Sequence, residues 1–140
     1  MAWRFEGRLL VVVHGPRNPS NLEWQSLLTE EAAHARPEDR RKLIVSYGGG
    51  PDGHQRALLA RQLDGKPAPT SILTKSALVR AITAALLFFN RNMSVFGLEE
   101  RKRAYDFLEL SAAERELTER VCRELEAEIG LNGTEHHARI

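Results

Sequence analysis

The sequence has little cysteine, almost no net charge and no long hydrophobic run. A single cysteine, Cys122, occurs among its 140 residues, which excludes an internal disulfide and allows a reducing compartment. Lys and Arg number 20 against 19 Asp and Glu, giving a net charge of +1. Domains that depend on nucleic acid usually have a clear basic excess, so we expect no nucleic-acid partner.

The most apolar stretch, residues 82–89, is less than half as long as a membrane-spanning helix, which needs about 20 residues. Residues 1–6 lack the basic and then apolar layout of a secretory signal. We therefore predict a cytoplasmic protein with no membrane span. Its length suits a single domain over residues 1–130, and residues 131–140, which lack periodicity, are predicted to be a flexible tail.

Strand-like and helix-like segments alternate along the chain. Residues 9–13 are continuously apolar and end in three valines, as in a strand buried on both faces, and residues 3–5 pair with them through a turn at Gly7. Further strands are predicted around residues 43–46, 71–73 and 93–96. A parallel sheet covered by helices is the usual product of such alternation.

Capping signals mark the helices between these strands. Ser20 with Glu23, and Ser111 with Glu114, have the spacing of a capping box. Leu22, Leu27 and Leu28 are predicted to form the apolar stripe of the helix that begins after Ser20. Pro51 suits the first turn of a second helix, and a third begins at Thr74 or Ser76 and extends to residue 89. The predicted order is β-β-α-β-α-β-α-β-α-α, an α/β fold with a mostly parallel sheet of about five strands.

A glycine-rich turn follows the third predicted strand. Gly48, Gly49 and Gly50 precede Pro51-Asp52-Gly53, so the turn contains the spacing G-x-G-x-x-G. Free amides at a helix N-terminus could bind an anion, or the glycines could only permit a tight reversal. A dinucleotide site needs an acidic residue about 20 positions further on. That position reads Leu73-Thr74-Lys75, which disfavours NAD.

Because parallel strands place their carboxyl ends at one edge of a sheet, residues after successive strands should meet there. His14 and His54 follow two of these strands, but no H-x-x-x-H, C-x-x-C or nucleophile motif accompanies them. We predict no catalytic residue, no metal site and no cofactor. The predicted ligand or partner contacts at this edge are His14, Gly48, Gly49, Gly50, Asp52, His54, Thr74, Lys75 and Ser76.

Two charged segments complete the prediction. Arg40-Arg41-Lys42 follows Glu38-Asp39, which offsets much of its charge, so a solvated loop is favoured over a nucleic-acid or lipid contact. On the last helix, Leu117, Val121 and Leu125 form a narrow apolar stripe. The stripe could dock on the sheet of its own chain or form a homodimer.

The element order over residues 3–110 resembles the STAS fold, shared by anti-sigma factor antagonists and sulfate-transporter tails. The local features that are similar to a bacterial STAS-like group are His14-Gly15-Pro16, Pro19-Ser20 with Trp24, Gly48-Gly49-Gly50-Pro51 with Gln55-Arg56, Ser76-Ala77-Leu78-Val79-Arg80, and Phe96.

The resemblance implies a non-catalytic regulatory module that binds a protein at the loop-bearing end of its sheet. In anti-sigma antagonists a serine at the start of the helix after the third strand is phosphorylated. The matching turn here, residues 48–53, has no Ser or Thr, and Ser46 should lie within the strand. A phosphoserine switch is therefore not expected. The alternative is a small nucleotide- or anion-binding protein or enzyme that uses this turn with His14 or His54.

Overall fold

The computed structural model describes residues 1–34, 39–77, 80 and 92–130. In this part of the chain five strands form one sheet in the order β1-β2-β3-β4-β5. The strands are β1 (Ala2–Glu6), β2 (Leu9–His14), β3 (Arg41–Ser46), β4 (Thr70–Thr74) and β5 (Met93–Phe96). The described helices are α1 (Asn21–Ala33), α2 (Gly53–Leu63), α3 (Arg101–Phe107) and α4 (Ala112–Glu128).

The sheet is mixed. Strands β1 and β2 are antiparallel, with Gly7 at a φ of 57° in the turn between them. The pairs β2–β3, β3–β4 and β4–β5 are parallel. The predicted α/β class is thus confirmed. Most of the predicted third helix and the predicted tail, residues 131–140, lie outside the described residues.

Alternation along the strands divides the apolar residues between two cores. Val11 and Val13 of β2 pack on one face against α3 and α4, whereas Leu10 and Val12 pack on the other face against α1. Val121 and Leu125 of α4 are fully buried in the first of these cores. The apolar stripe of the last helix therefore docks on the sheet of its own chain.

The buried face of α1 differs from the stripe of Leu22, Leu27 and Leu28 that the sequence predicts. Trp24, Leu27, Leu28 and Glu31 are its buried residues, whereas Leu22 is 79% exposed. The buried set has the spacing i, i+3, i+4, i+7, which places Leu22 off the stripe. Counting Leu22 as a core residue was therefore wrong.

Two of the three residues of the basic segment after α1, Arg40 and Lys42, are buried, contrary to the solvated loop predicted for the segment. Arg40 and Lys42 are 4% and 5% exposed, and Lys42 lies in β3. Both contact the carboxylate of Glu31, with Lys42 Nζ 2.9 Å and Arg40 Nη1 3.3 Å from Oε2. Pairing across two elements makes this burial tolerable, because a buried charge needs a partner.

None of the helices in the described ranges is both long enough and apolar enough to cross a membrane.

Candidate functional site

Three strands end together at one edge of the sheet. His14 of β2 is in register with Ser46 of β3, and Ser46 is in register with Thr74 of β4. This edge, with the loops that follow the three strands, is called the carboxyl rim. His14 alternates with Val13 and so faces the same side as Leu10 and Val12, the side covered by α1.

The glycine turn lies on the carboxyl rim beside His14, and its backbone amides have acceptors within the protein. The amide of Gly49 donates to the Gly15 carbonyl at 2.8 Å, and that of Gly50 to Asn18 Oδ1 at 3.2 Å. Ser46 Oγ accepts from the amide of Gly48 at 3.2 Å and donates to the Gly49 carbonyl at 2.6 Å. An anion bound at these amides would have to replace bonds that the fold already makes.

Two of the glycines are required, Gly49 by close packing and Gly48 by its backbone conformation. A Cβ at Gly49 would lie 2.0 Å from the carbonyl oxygen of Arg17, and Gly49 is buried. Gly48 has a φ of 126°, a conformation that residues with a Cβ rarely adopt. A Cβ added at Gly50 would have no atom within 4 Å, so Gly50 meets neither restriction.

The helix after the turn begins two residues later than Pro51. Asp52 is the N-cap of α2, with its carboxylate accepting from the amide of Gln55 at 2.8 Å. Gln55 Oε1 accepts in return from the amide of Asp52 at 3.0 Å, completing a capping box that was not among the predicted ones. The pattern D-x-x-Q at Asp52 and Gln55 could have predicted this capping box from the sequence.

Gln55 also joins the two helices beside the carboxyl rim. Its Nε2 donates to the Pro19 carbonyl at 3.1 Å and to Asn21 Oδ1 at 3.0 Å. Trp24 Nε1 donates to the Gln55 carbonyl at 2.8 Å. With Gln55 only 2% exposed, these bonds fix the start of α2 against the start of α1.

Tyr47 holds the turn to the opposite face of the sheet. Its amide donates to the His14 carbonyl at 2.9 Å, and its hydroxyl donates to Glu126 of α4 at 2.8 Å. Burial, with the neighbouring carboxylate of Glu126, raises the pKa of Tyr47 to about 12. The phenol therefore stays protonated and keeps donating to Glu126 at neutral pH.

His14 is the most deeply buried of the predicted contact residues that have a titratable side chain. It is 2% exposed, and its Nδ1 has no hydrogen-bond partner. Burial, together with repulsion from the N-terminal ammonium group, lowers its pKa from 6.5 to about 4. The imidazole is therefore neutral at pH 7 and has one donor and one acceptor nitrogen.

The other predicted contact residues divide by exposure. Those open to solvent are Gly48, Asp52, His54 and Lys75, whereas Gly50 and Ser76 are half-buried. Thr74 is fully buried, and its hydroxyl accepts from the amide of Ser76 at 3.1 Å. Only the four exposed residues can contact a macromolecule without a rearrangement of the loops around them.

A cavity of about 350 Å³ lies behind the carboxyl rim and was not predicted from the sequence. His14, Ser46 and the three glycines line one end, and Lys42 and Glu31 are among its lining residues too. Leu10 and Val12 of β2 and Ile44 of β3 contribute apolar walls. They lie at alternate positions along their strands, so the alternation of apolar residues could have indicated these walls. In the described residues, no three His, Cys, Asp or Glu side chains are grouped closely enough to hold a metal ion.

No protein-family model, no curated protein and no solved structure matches the chain.

Proposed function

We propose that this protein is a non-catalytic, STAS-like binding module that docks a protein partner on its carboxyl rim. The observation that supports this most directly is the register of His14, Ser46 and Thr74, which brings three loops to one edge. Open α/β sheets bind their ligands at such an edge. An antiparallel hairpin followed by parallel strands supports the STAS-like part of the proposal.

The contacts of Ser46 support a module without a phosphoserine switch. Ser46 is 5% exposed, and its hydroxyl is engaged with the backbone of the glycine turn. A kinase needs an accessible hydroxyl, and the cap of α2 is Asp52. Phosphorylation of Ser46 or of the cap of α2 would therefore not regulate partner binding.

The alternative, an anion-binding protein or enzyme using the glycine turn, receives less support. The amides of Gly48, Gly49 and Gly50 have internal acceptors, and Asp52 places a carboxylate at the start of α2. A carboxylate there repels a phosphate. Titrating the purified chain with nucleotides and inorganic phosphate should therefore show no saturable binding.

Site-specific crosslinking tests the docking surface. A photoreactive amino acid placed at His54 or at Lys75 should capture the same protein from the cells of origin, because both residues are exposed on the carboxyl rim. A matched probe at Lys66, an exposed residue that precedes β4 and so lies toward the opposite edge, should not capture it.

The captured protein is then purified and its affinity measured. The double variant His54→Ala/Lys75→Glu should bind it at least tenfold more weakly, whereas Lys66→Glu should bind it normally. Capture from position 66 alone, or an affinity that the double variant leaves unchanged, would exclude the carboxyl rim as the docking surface.

A further inference from the structure

Three exposed cations surround the glycine turn on the carboxyl rim. Arg17 lies in the loop after β2, Arg56 lies in the first turn of α2, and Lys75 comes directly after β4. The backbone of Arg17 packs against Gly49, and Arg56 Nη1 donates to the Pro51 carbonyl at 2.7 Å. The two arginines therefore lie at the turn itself, and Lys75 follows the neighbouring strand.

These three cations have no carboxylate partner among the described residues. Most other arginines in the described ranges do have one, as Arg4 has in Glu124 and Arg8 has in Glu114. In contrast, no ion pair joins a described carboxylate to Arg17, Arg56 or Lys75. Their positive charge is therefore left to solvent or to another molecule.

The nearby carboxylates are already used by the fold. Within the described residues, the loops of the rim and the first turns of α1 and α2 contain two carboxylates, Glu23 and Asp52. Each caps its helix, and Glu23 Oε2 also lies 3.5 Å from the N-terminal ammonium group. Asp52 is thus the single carboxylate that opposes the three cations around the turn.

The residues outside the described ranges do not supply the missing negative charge. They contain three arginines and two glutamates, Glu38 and Glu135. The whole crossover between β4 and β5, residues 75–92, contains no Asp or Glu. Because these residues are positive on balance, they leave the excess of positive charge at the rim in place.

The spacing of the cations suits an extended chain better than a small anion. Arg17 and Lys75 follow β2 and β4, which are separated by β3, so the ends of their strands lie about 10 Å apart. An extended chain advances about 3.3 Å per residue, so side chains three positions apart have the same separation. A single small anion cannot bridge this distance, and the amides of the turn are already bonded.

We propose that the carboxyl rim binds an acidic segment of its protein partner, whose carboxylates pair with Arg17, Arg56 and Lys75. This inference rests on the proposed function, since it assigns the chemistry of the partner that docks there. A protein segment is favoured over nucleic acid because the exposed carboxylate of Asp52 lies among the cations. The net charge of +1 also falls short of the basic excess that nucleic-acid binding needs.

Three probes test this chemistry. One peptide of about twelve residues has Glu at every third position between Gly and Ser residues, and a second has Gln in place of each Glu. The third probe is an oligothymidylate with the same number of negative charges. The ¹⁵N-labelled full chain is titrated with each probe at low ionic strength, and its backbone amide signals are followed by NMR.

We expect the Glu peptide to shift the signals of Arg17, Arg56 and Lys75 saturably, and the Gln peptide to shift none of them. The oligothymidylate should bind no more tightly than the Glu peptide. Raising the salt concentration to about 0.3 M should weaken the Glu peptide severalfold, because salt screens exposed charges.

Charge reversal assigns the binding to the rim. Arg17→Glu/Lys75→Glu should bind the Glu peptide about tenfold more weakly. Arg61→Glu/Lys66→Glu is the matched control, because it makes the same change in charge at two exposed residues outside the rim. The control should weaken binding no more than twofold.

The proposal is overturned if the two peptides bind alike, if the oligothymidylate binds more tightly than the Glu peptide, or if the control reversal weakens binding as much as the rim reversal. The partner captured by crosslinking gives a separate test with Lys75→Arg, which should bind it normally. If Lys75→Arg binds it as weakly as Lys75→Glu, docking on the rim stands and the acidic segment is refuted. Failure to capture any partner refutes docking instead and leaves the peptide result unchanged.

Discussion

A methyl group added at Gly49 would lie 2.0 Å from the carbonyl oxygen of Arg17 and 2.6 Å from that of Gly15. Both neighbours are backbone, so neither can swing aside. We expect Gly49→Ala to lower the free energy of unfolding by about 1–3 kcal/mol, the usual cost of overpacking. Urea denaturation followed by tryptophan fluorescence measures the change.

Gly50→Ala is the matched control, because no atom lies within 4 Å of its added methyl group. Its effect should stay within about 0.5 kcal/mol. Equal losses for the two variants would show that the turn is not packed against the loop of Gly15 and Arg17. The glycine run would then need an explanation other than this close approach.

His14 should make the stability of the fold depend on pH. The pKa of His14 is about 4 in the folded chain, against an ordinary value of 6.5. As the pH falls below 6.5 the unfolded chain binds a proton that the folded chain does not, so stability decreases and levels off below about pH 4. The loss attributable to His14 amounts to about 3 kcal/mol at most.

Urea denaturation at several values between pH 7.5 and 4.5 measures this slope. His14→Phe should flatten it, whereas His54→Ala, which replaces an exposed histidine on the same rim, should retain it. The carboxylates of Glu23 and Glu114 have lowered pKa values, so their contributions are lost at more acidic pH. An unchanged slope in His14→Phe would contradict the assignment of a neutral, buried imidazole.

Glu31 of α1 is the shared partner of two buried cations, Arg40 and Lys42. Replacing Glu31 by Gln leaves Arg40 and Lys42 buried without a carboxylate, and uncompensated buried charge costs about 3–5 kcal/mol. Lys42→Met keeps the pair between Glu31 and Arg40, so it should cost less. Chemical denaturation of both variants compares them, and a larger loss for Lys42→Met would refute this account.

Local signals predicted the elements better than they predicted contacts between elements. Three valines identified β2, and the capping boxes at Ser20 and Ser111 marked where α1 and α4 begin. Glu31 and Lys42 are 11 residues apart, and only the packing of α1 on β3 brings them together. A charged run is usually solvated, so its burial could not be inferred from composition.

The same distinction applies to the candidate site. That His14 and the glycine turn share one rim followed from the rule that parallel strands end together. The burial of His14, the occupied amides of the turn and the cavity all depend on side-chain packing across α1, β2 and β3. The alternation of β2 pointed toward the burial of His14, because it places His14 on the face of Leu10 and Val12.

One sheet separates two apolar cores, and this arrangement determines how cooperatively the protein unfolds. Leu10 and Val12 belong to one core while Val11 and Val13 belong to the other, so β2 is shared residue by residue. Because β2 contributes side chains to both cores, it cannot unfold from one core and stay folded in the other. We therefore expect both faces to unfold in a single cooperative transition.

Two native side chains report on the two faces separately. Trp24 of α1 is 4% exposed, and Cys122 of α4, the single cysteine of the chain, is 1% exposed. In a urea titration, the fluorescence of Trp24 and the labelling of Cys122 by a short pulse of thiol reagent should therefore show the same midpoint. Cys122→Ala controls for unspecific labelling, and Trp3→Phe isolates the emission of Trp24. Labelling of Cys122 at lower urea would instead mean that α3 and α4 detach first, leaving the hairpin, α1 and α2 as an independently stable unit.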